Sequence, residues 1–163
     1  MRVTKRPPEA LVARHLARVR FLLCASPDYL DAGGVPQTLQ DLAEHRCLSY
    51  SGAPSRQWRF RQGDEILVAP VDPVLQVNSV DALREVTLAG AGIALLPNYS
   101  VAADLQAGRM QELLSDYTAS GATSLYAIYP PNRYGSPKLS AFLRHVEAMI
   151  DTLGLSAAGP TPP

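Results

Sequence analysis

The sequence has no surplus of charge of either sign, no basic tract, no long apolar run and few cysteines, and each shortage excludes something. Fifteen Lys and Arg stand against fifteen Asp and Glu in 163 residues, for a formal net charge of zero. Without a basic face of its own, this segment is not expected to grip a phosphate backbone by itself. Charged residues make up 18% and hydrophobic ones 47%, which excludes intrinsic disorder for most of the length. No apolar run approaches the ~20 residues that a membrane-spanning helix needs. Arg2, Lys5 and Arg6 are followed by Pro7–Pro8, where a signal peptide would place its apolar core. The reading is therefore a cytoplasmic chain with no membrane partner.

Cys24 and Cys47 both sit in apolar runs, the pattern of buried, reduced thiols and not of a disulfide framework. Metal binding needs further ligands at close spacing, and His15, His45 and His145 are isolated from one another and from both cysteines. No metal site is expected. Motifs for nucleophilic or metal-assisted catalysis, G-x-S-x-G and H-E-x-x-H, are also absent. The one Gly-x-Gly, Gly90-Ala91-Gly92, precedes an apolar strand, whereas a dinucleotide fingerprint follows one. Ser51, Ser79 and Ser136 have no histidine that the sequence forces beside them. A non-enzyme without a cofactor is the expectation.

What is present is α/β patterning, in a chain long enough to bury roughly 70% of its unfolded surface. The first eighteen residues are polar and proline-interrupted, and Val19 to Ala25 reads as one buried strand that Ser26-Pro27-Asp28 stops. Thr38 is expected to cap a helix over Leu39 to His45, followed by a brief strand, Arg46 to Tyr50. Gln57 to Arg61 alternates aromatic and polar residues, Gln62-Gly63-Asp64 is a turn, and Glu65 to Ala69 returns, so a hairpin is predicted. Trp58 on that hairpin either lines a pocket or, as a half-buried strand aromatic more often does, belongs to the core. Pro73 to Val77 gives another strand. Ser79 then caps a helix through Leu88 with Asp81 in its first turn, and Gly90 and Gly92 close it before the strand Ile93–Leu96. Strand, helix and strand make a parallel α/β unit. A short helix from Tyr99 to Gln106 and a strand over Ser124–Tyr129 follow. Ser136 and Pro137 open a last helix with the stripe Leu139, Phe142, Leu143, Val146, Ile150 and Leu153. The tail from Ser156 is small, polar and proline-rich, and reads as disordered.

Two places suit a small anion. Ser79 opens a helix, where free N–H groups and partial positive charge collect. The loop Ser51-Gly52-Ala53-Pro54-Ser55 follows a strand end, the position at which open α/β sheets place ligands. Each also has an ordinary structural reading, as a helix cap and as a connection. Tyr129, at a strand end before Pro130-Pro131, either offers its hydroxyl or braces a hinge.

The order of motifs settles the fold class. Leu23 to Leu30, Leu39 to Leu48, Trp58-Arg59-Phe60, Val77-Asn78-Ser79, Ala89 to Pro97, Ala107-Gly108-Arg109, Leu125 to Pro130 and Ser136 to Leu139 occur in sequence. This set resembles the effector-binding (substrate-binding) domain of LysR-type transcriptional regulators, over nearly everything from Val3 to Leu153. The resemblance implies an α/β fold like the type 2 periplasmic binding proteins, with two Rossmann-like lobes joined by two crossing strands and the first lobe incomplete here. It assigns 1–28 to the partial first lobe and first crossing strand, taken as Val19 to Ala25. It assigns 29–123 to the effector-binding lobe, 124–155 to the second crossing strand and return helix, and 156–163 to the tail. A small effector, often a carboxylate or aromatic acid, would sit in the cleft between lobes and bias their orientation, with Ser51, Gly52, Asn78, Ser79 and Tyr129 as ligand contacts. A homo-oligomer is implied, with DNA reached only through a helix-turn-helix that this chain lacks. The alternative is a stand-alone solute-binding protein of the periplasmic type.

Overall fold

The computed structural model describes residues 2–4, 10–51, 57–120, 123–131 and 136–152. In chain order the elements are β1 (Arg2–Thr4), β2 (Val12–Val19), β3 (Phe21–Ala25), α1 (Pro27–Gly33), a 3-10 turn (Asp41–Ala43), β4 (Cys47–Tyr50), β5 (Gln57–Gln62), β6 (Glu65–Pro70), β7 (Pro73–Val77) and α2 (Val80–Leu88). They continue with β8 (Ile93–Pro97), α3 (Asn98–Gln106), β9 (Gln111–Leu113), β10 (Thr118–Ala119), β11 (Thr123–Tyr129) and α4 (Pro137–Thr152). The chain divides into two units, Met1–Val19 with Ala122–Pro163, and Arg20–Gly121.

The first unit is an antiparallel sheet in the order β1-β11-β2, with α4 carrying the hydrophobic stripe. Leu143, Val146 and Ile150, spaced by three and four, bury against Leu16, Ala17 and Ala127. Phe142, expected within that stripe, is 52% exposed, because it lies about 100° round the helix from Leu143. Leu153 and the tail lie outside the described residues.

The second unit holds a five-stranded sheet in the order β7-β4-β8-β3-β9 and a three-stranded one, β10-β5-β6. Strand β4 pairs in parallel with both β7 and β8, while β3 runs antiparallel to β8. The predicted unit of strand, helix and strand is therefore present as β7, α2 and β8, with β4 inserted between the two strands. One core joins Leu30, Leu42, Trp58, Phe60 and Ile93, and another joins Leu48, Leu83, Leu96, Val101 and Met110. Trp58 is core, as expected. Strand β8 can start against β4 only because residue 92 is glycine. Ile93 N–H donates to the Arg46 carbonyl at 2.8 Å, and a Cβ on Gly92 would come closer than 3.0 Å to that same oxygen.

Three expectations are corrected. Val19 to Ala25 is not one strand: the ladder breaks at Arg20, where β2 leaves the first unit and β3 enters the second sheet. The partner of β11 is Val12–Val19, so the polar-looking start of the chain is a strand. Ser26-Pro27-Asp28 does more than stop β3. Ser26 accepts a hydrogen bond from Tyr29 N–H, Pro27 stands where its missing N–H is harmless, and Asp28 faces the positive end of α1. The helix expected over Leu39 to His45 is only the 3-10 turn. Asp41 accepts bonds from the Thr38 hydroxyl and from the N–H groups of Gln37 and Thr38, a local network that competes with helix propagation. The Thr38 hydroxyl first, then the two amides, hold the Asp41 carboxyl below its ordinary pKa.

Both cysteines are free and fully buried. Burial, with a contribution from the Glu112 carboxylate, pushes the Cys24 thiol up to about 12, and burial alone pushes Cys47 up to about 11. Thiolate is the reactive form. Native protein at about pH 8 should therefore resist iodoacetamide under conditions that alkylate both thiols after unfolding in urea; rapid labelling of the native protein, read by intact mass, would contradict this.

Candidate functional site

Parallel strands β7, β4 and β8 end on one side of the second sheet, and the loops that leave them carry the polar groups. Tyr50 at the end of β4 is in register with Val77 at the end of β7, and Ser51 N–H donates to the Val77 carbonyl at 2.8 Å. That bond places Ser51 beside Asn78 and Ser79. Ser79 adopts the extended conformation of an N-cap and accepts from Ala82 N–H at 3.3 Å. Its hydroxyl proton stays free to donate, and the exposed Asn78 amide adds donor and acceptor capacity. Of the five residues expected to contact a ligand, three therefore meet at one edge. Gly52 lies outside the described residues. Tyr129 belongs to the other unit, where it ends β11 opposite Val12 and packs against the Leu16, Ala127 and Leu143 cluster.

Four further residues, Asn98, Ser100, Tyr50 and Tyr99, share this edge. Asn98 opens α3 directly after β8 and is 8% exposed; its side-chain oxygen accepts from Arg20 N–H, while its own N–H donates to the Arg20 carbonyl at 2.8 Å. The reciprocal pair fixes the start of α3. Ser100 donates to the Pro97 carbonyl, and no side chain caps the first turn of that helix, so the amides that follow Asn98 in that turn remain available to a ligand. Tyr50 and Tyr99 are both partly exposed. The Tyr99 hydroxyl is held above its ordinary pKa by burial first, then by the charges of Asp81 and Tyr50. The available signal was Pro97-Asn98 at the end of an apolar strand, a stop followed by a residue that favours helix starts.

On the opposite side of the sheet is an open depression of about 480 Å³, lined by residues of α1, the His45–Arg46 segment and the end of α2. Its Tyr29 hydroxyl already bonds His45 Nδ1 at 3.1 Å and accepts from Arg46 N–H at 3.0 Å. Those bonds tie α1 to the entry of β4. Among the described residues no cluster of His, Cys, Asp and Glu suits a metal ion, and no helix is long and apolar enough to cross a membrane.

Comparison with known proteins adds the family. The profile of the LysR substrate binding domain matches residues 1–150. The chain belongs to this family. The HTH-type transcriptional regulator CrgA of Neisseria meningitidis serogroup C is 32% identical over 152 residues, covering 91% of this chain and 49% of that protein. The transcriptional activator TtdR of Escherichia coli K12 is 29% identical, over 91% of this chain and 48% of its own length. This LysR-family chain thus spans about half the length of the curated relatives it matches. Among solved structures, the CrgA regulatory domain superposes with a TM-score of 0.76 at 28% identity, covering 90% of this chain and 73% of that one. The regulatory domain of AphB from Vibrio vulnificus gives 0.74 at 27% identity, with the same coverage. The fold is accordingly the α/β, type 2 periplasmic-binding-protein-like fold of LysR regulatory domains. The named relatives are transcriptional regulators, which does not favour the solute-binder alternative.

Proposed function

We propose that this chain is the effector-sensing part of a cytoplasmic, homo-oligomeric LysR-type regulator, non-catalytic, whose DNA contacts are made by a helix-turn-helix outside it. The effector is a small carboxylate or aromatic acid. The observation that carries this reading is the meeting of Ser51, Asn78 and Ser79 at the C-terminal edge of β7 and β4, beside the uncapped first turn of α3. Hydroxyl, amide and backbone donors at such an edge suit an anion without reacting with it. Tyr50 and Tyr99 supply ring surface suited to an aromatic acid.

A thermal-shift screen of small carboxylates and aromatic acids tests it. A compound present at 100 times its Kd adds about 2.7 kcal/mol, a rise in Tm of roughly 5–10 °C for a domain of this size. Asn78→Ala should abolish that rise while leaving the unliganded Tm within about 2 °C, since the residue is exposed. Ser79→Ala should in addition cost about 1 kcal/mol of stability through the lost cap. A panel with no stabiliser, or stabilisation that survives Asn78→Ala, would count against the site.

A further inference from the structure

Strand β6 is an outer strand of the sheet β10-β5-β6. The register sets Gln62 opposite Glu65 across the two-residue turn Gly63–Asp64, then Arg61 opposite Ile66, Phe60 opposite Leu67 and Arg59 opposite Val68. In a hairpin closed by a two-residue turn the flanking pair exchanges hydrogen bonds, and the pairs alternate from there. Glu65, Leu67 and Ala69 thus bond inward to β5, whereas Ile66 and Val68 turn their N–H and C=O groups outward. At Pro70 the position that would face outward has no N–H to leave unpaired. The same two residues carry the exposed apolar side chains of the strand: Ile66 is 60% and Val68 44% exposed. An outer strand normally guards itself with charge, proline, a bulge or a cover; among the described residues of β6 the guards are Glu65 at its turn end and Pro70 at the other, with Ile66 to Val68 bare between them.

We propose that β6 is a self-pairing edge, along which two copies of this chain join antiparallel about a two-fold axis through Leu67. That register sets Ile66 of each copy opposite Val68 of the other. Their outward N–H and C=O groups then form hydrogen-bonded pairs, and their side chains meet in one apolar row. The two three-stranded sheets become one of six strands. A second copy fits better than an acidic peptide because the cations stand one strand in from the edge. Arg59 and Arg61 of one copy lie three strand spacings, about 14 Å, from those of the other, beyond the screening length of about 8 Å at physiological salt. The edge itself asks its partner for outward N–H groups and apolar side chains two residues apart, and β6 supplies both.

Sedimentation velocity on the full chain at about 1 to 100 μM tests the pairing. The mass should double with concentration. Val68→Pro removes only the outward N–H of that position, and Ile66→Lys puts a charge into the apolar row; each should leave a monomer with unchanged circular dichroism. Val74→Lys, on the outer strand β7 of the other sheet, should still dimerise. A monomer throughout, a dimer that persists in both β6 variants, or one that only Val74→Lys dissociates would overturn the assignment.

Discussion

Replacing Gly92 by alanine should lower the unfolding free energy by about 3 kcal/mol or more, seen as a fall in urea midpoint at constant slope. The atoms a new Cβ meets are the Arg46 carbonyl oxygen and carbon and the Arg46 Cβ, none of which is the free end of a flexible side chain. The same carbonyl accepts the Ile93 N–H bond that registers β8 on β4. Relief therefore means parting two central strands where Cys47, Leu48, Ile93 and Ala94 are all buried, with loss of packing as well as a hydrogen bond. Gly63→Ala is the comparison. Gly63 has φ +59° but open space around its Cβ position, so its cost is the left-handed backbone alone, about 1–2 kcal/mol. Equal losses at the two sites would mean that the Arg46 contact is not the cause.

The second large effect is at Asp104. This carboxylate is 0% exposed and takes two bonds from Arg84, at 2.6 and 2.8 Å, and two from Arg109. Arg84 comes from α2 and Asp104 from α3, so the cluster fastens together the two helices whose first turns border the candidate site. Asp104→Ala leaves the Arg84 guanidinium, 25% exposed, without its main partner, and about 3 kcal/mol of stability should be lost. Arg109 is 55% exposed, so Arg109→Ala should cost no more than about 1 kcal/mol. Joint replacement of Arg84 and Asp104 by methionine should recover much of the loss, since the charges that lose a partner, Arg109 and Glu85, are exposed and stay solvated. The pH dependence has a definite sign. Burial alone would raise the Asp104 pKa, but the guanidiniums of Arg84 and Arg109 overcome it and hold the carboxyl below its ordinary value. Its stabilisation is thus complete above the unfolded-state value of about 3.9 and is lost as pH falls through the lower folded value. Urea titrations from about pH 7 to pH 2 should show an acid-side loss in the parent that the Asp104→Ala variant largely lacks.

Elements that announce themselves over a few neighbouring residues were legible in the sequence. The hairpin shows in its alternation and in Gly63, α2 in Ser79 and Asp81, and the start of β8 in Gly90 and Gly92. Elements created by distant partners were not. Val12–Val19 is apolar at five positions but broken by Arg14, His15 and Arg18 out of any strict alternation, and is a strand because Thr123–Tyr129 lies beside it. The break at Arg20 shows only once Asn98 is seen holding that residue from 78 positions away. Helix α1 was legible in principle, since Ser26, Pro27 and Asp28 are a cap, a first helical residue and a first-turn acid as well as a stop. Ser51, Asn78 and Ser79 were picked by residue type and loop position; the Ser51–Val77 bond that gathers them needs the parallel register. Asp104 carries no signal in the sequence, because a single carboxylate on a short helix is usually solvated.

The pairing of β2 with β11 has a topological corollary. Val19 stands opposite Thr123, so the chain leaves the sheet at the end of β2 and re-enters it at the start of β11 at points only about 5 Å apart. The stretch between those two residues is thus a nested insert, tethered to neighbouring points of one sheet. Such a segment can be excised, joined end to end or grafted between two strands of another scaffold without stretching either junction.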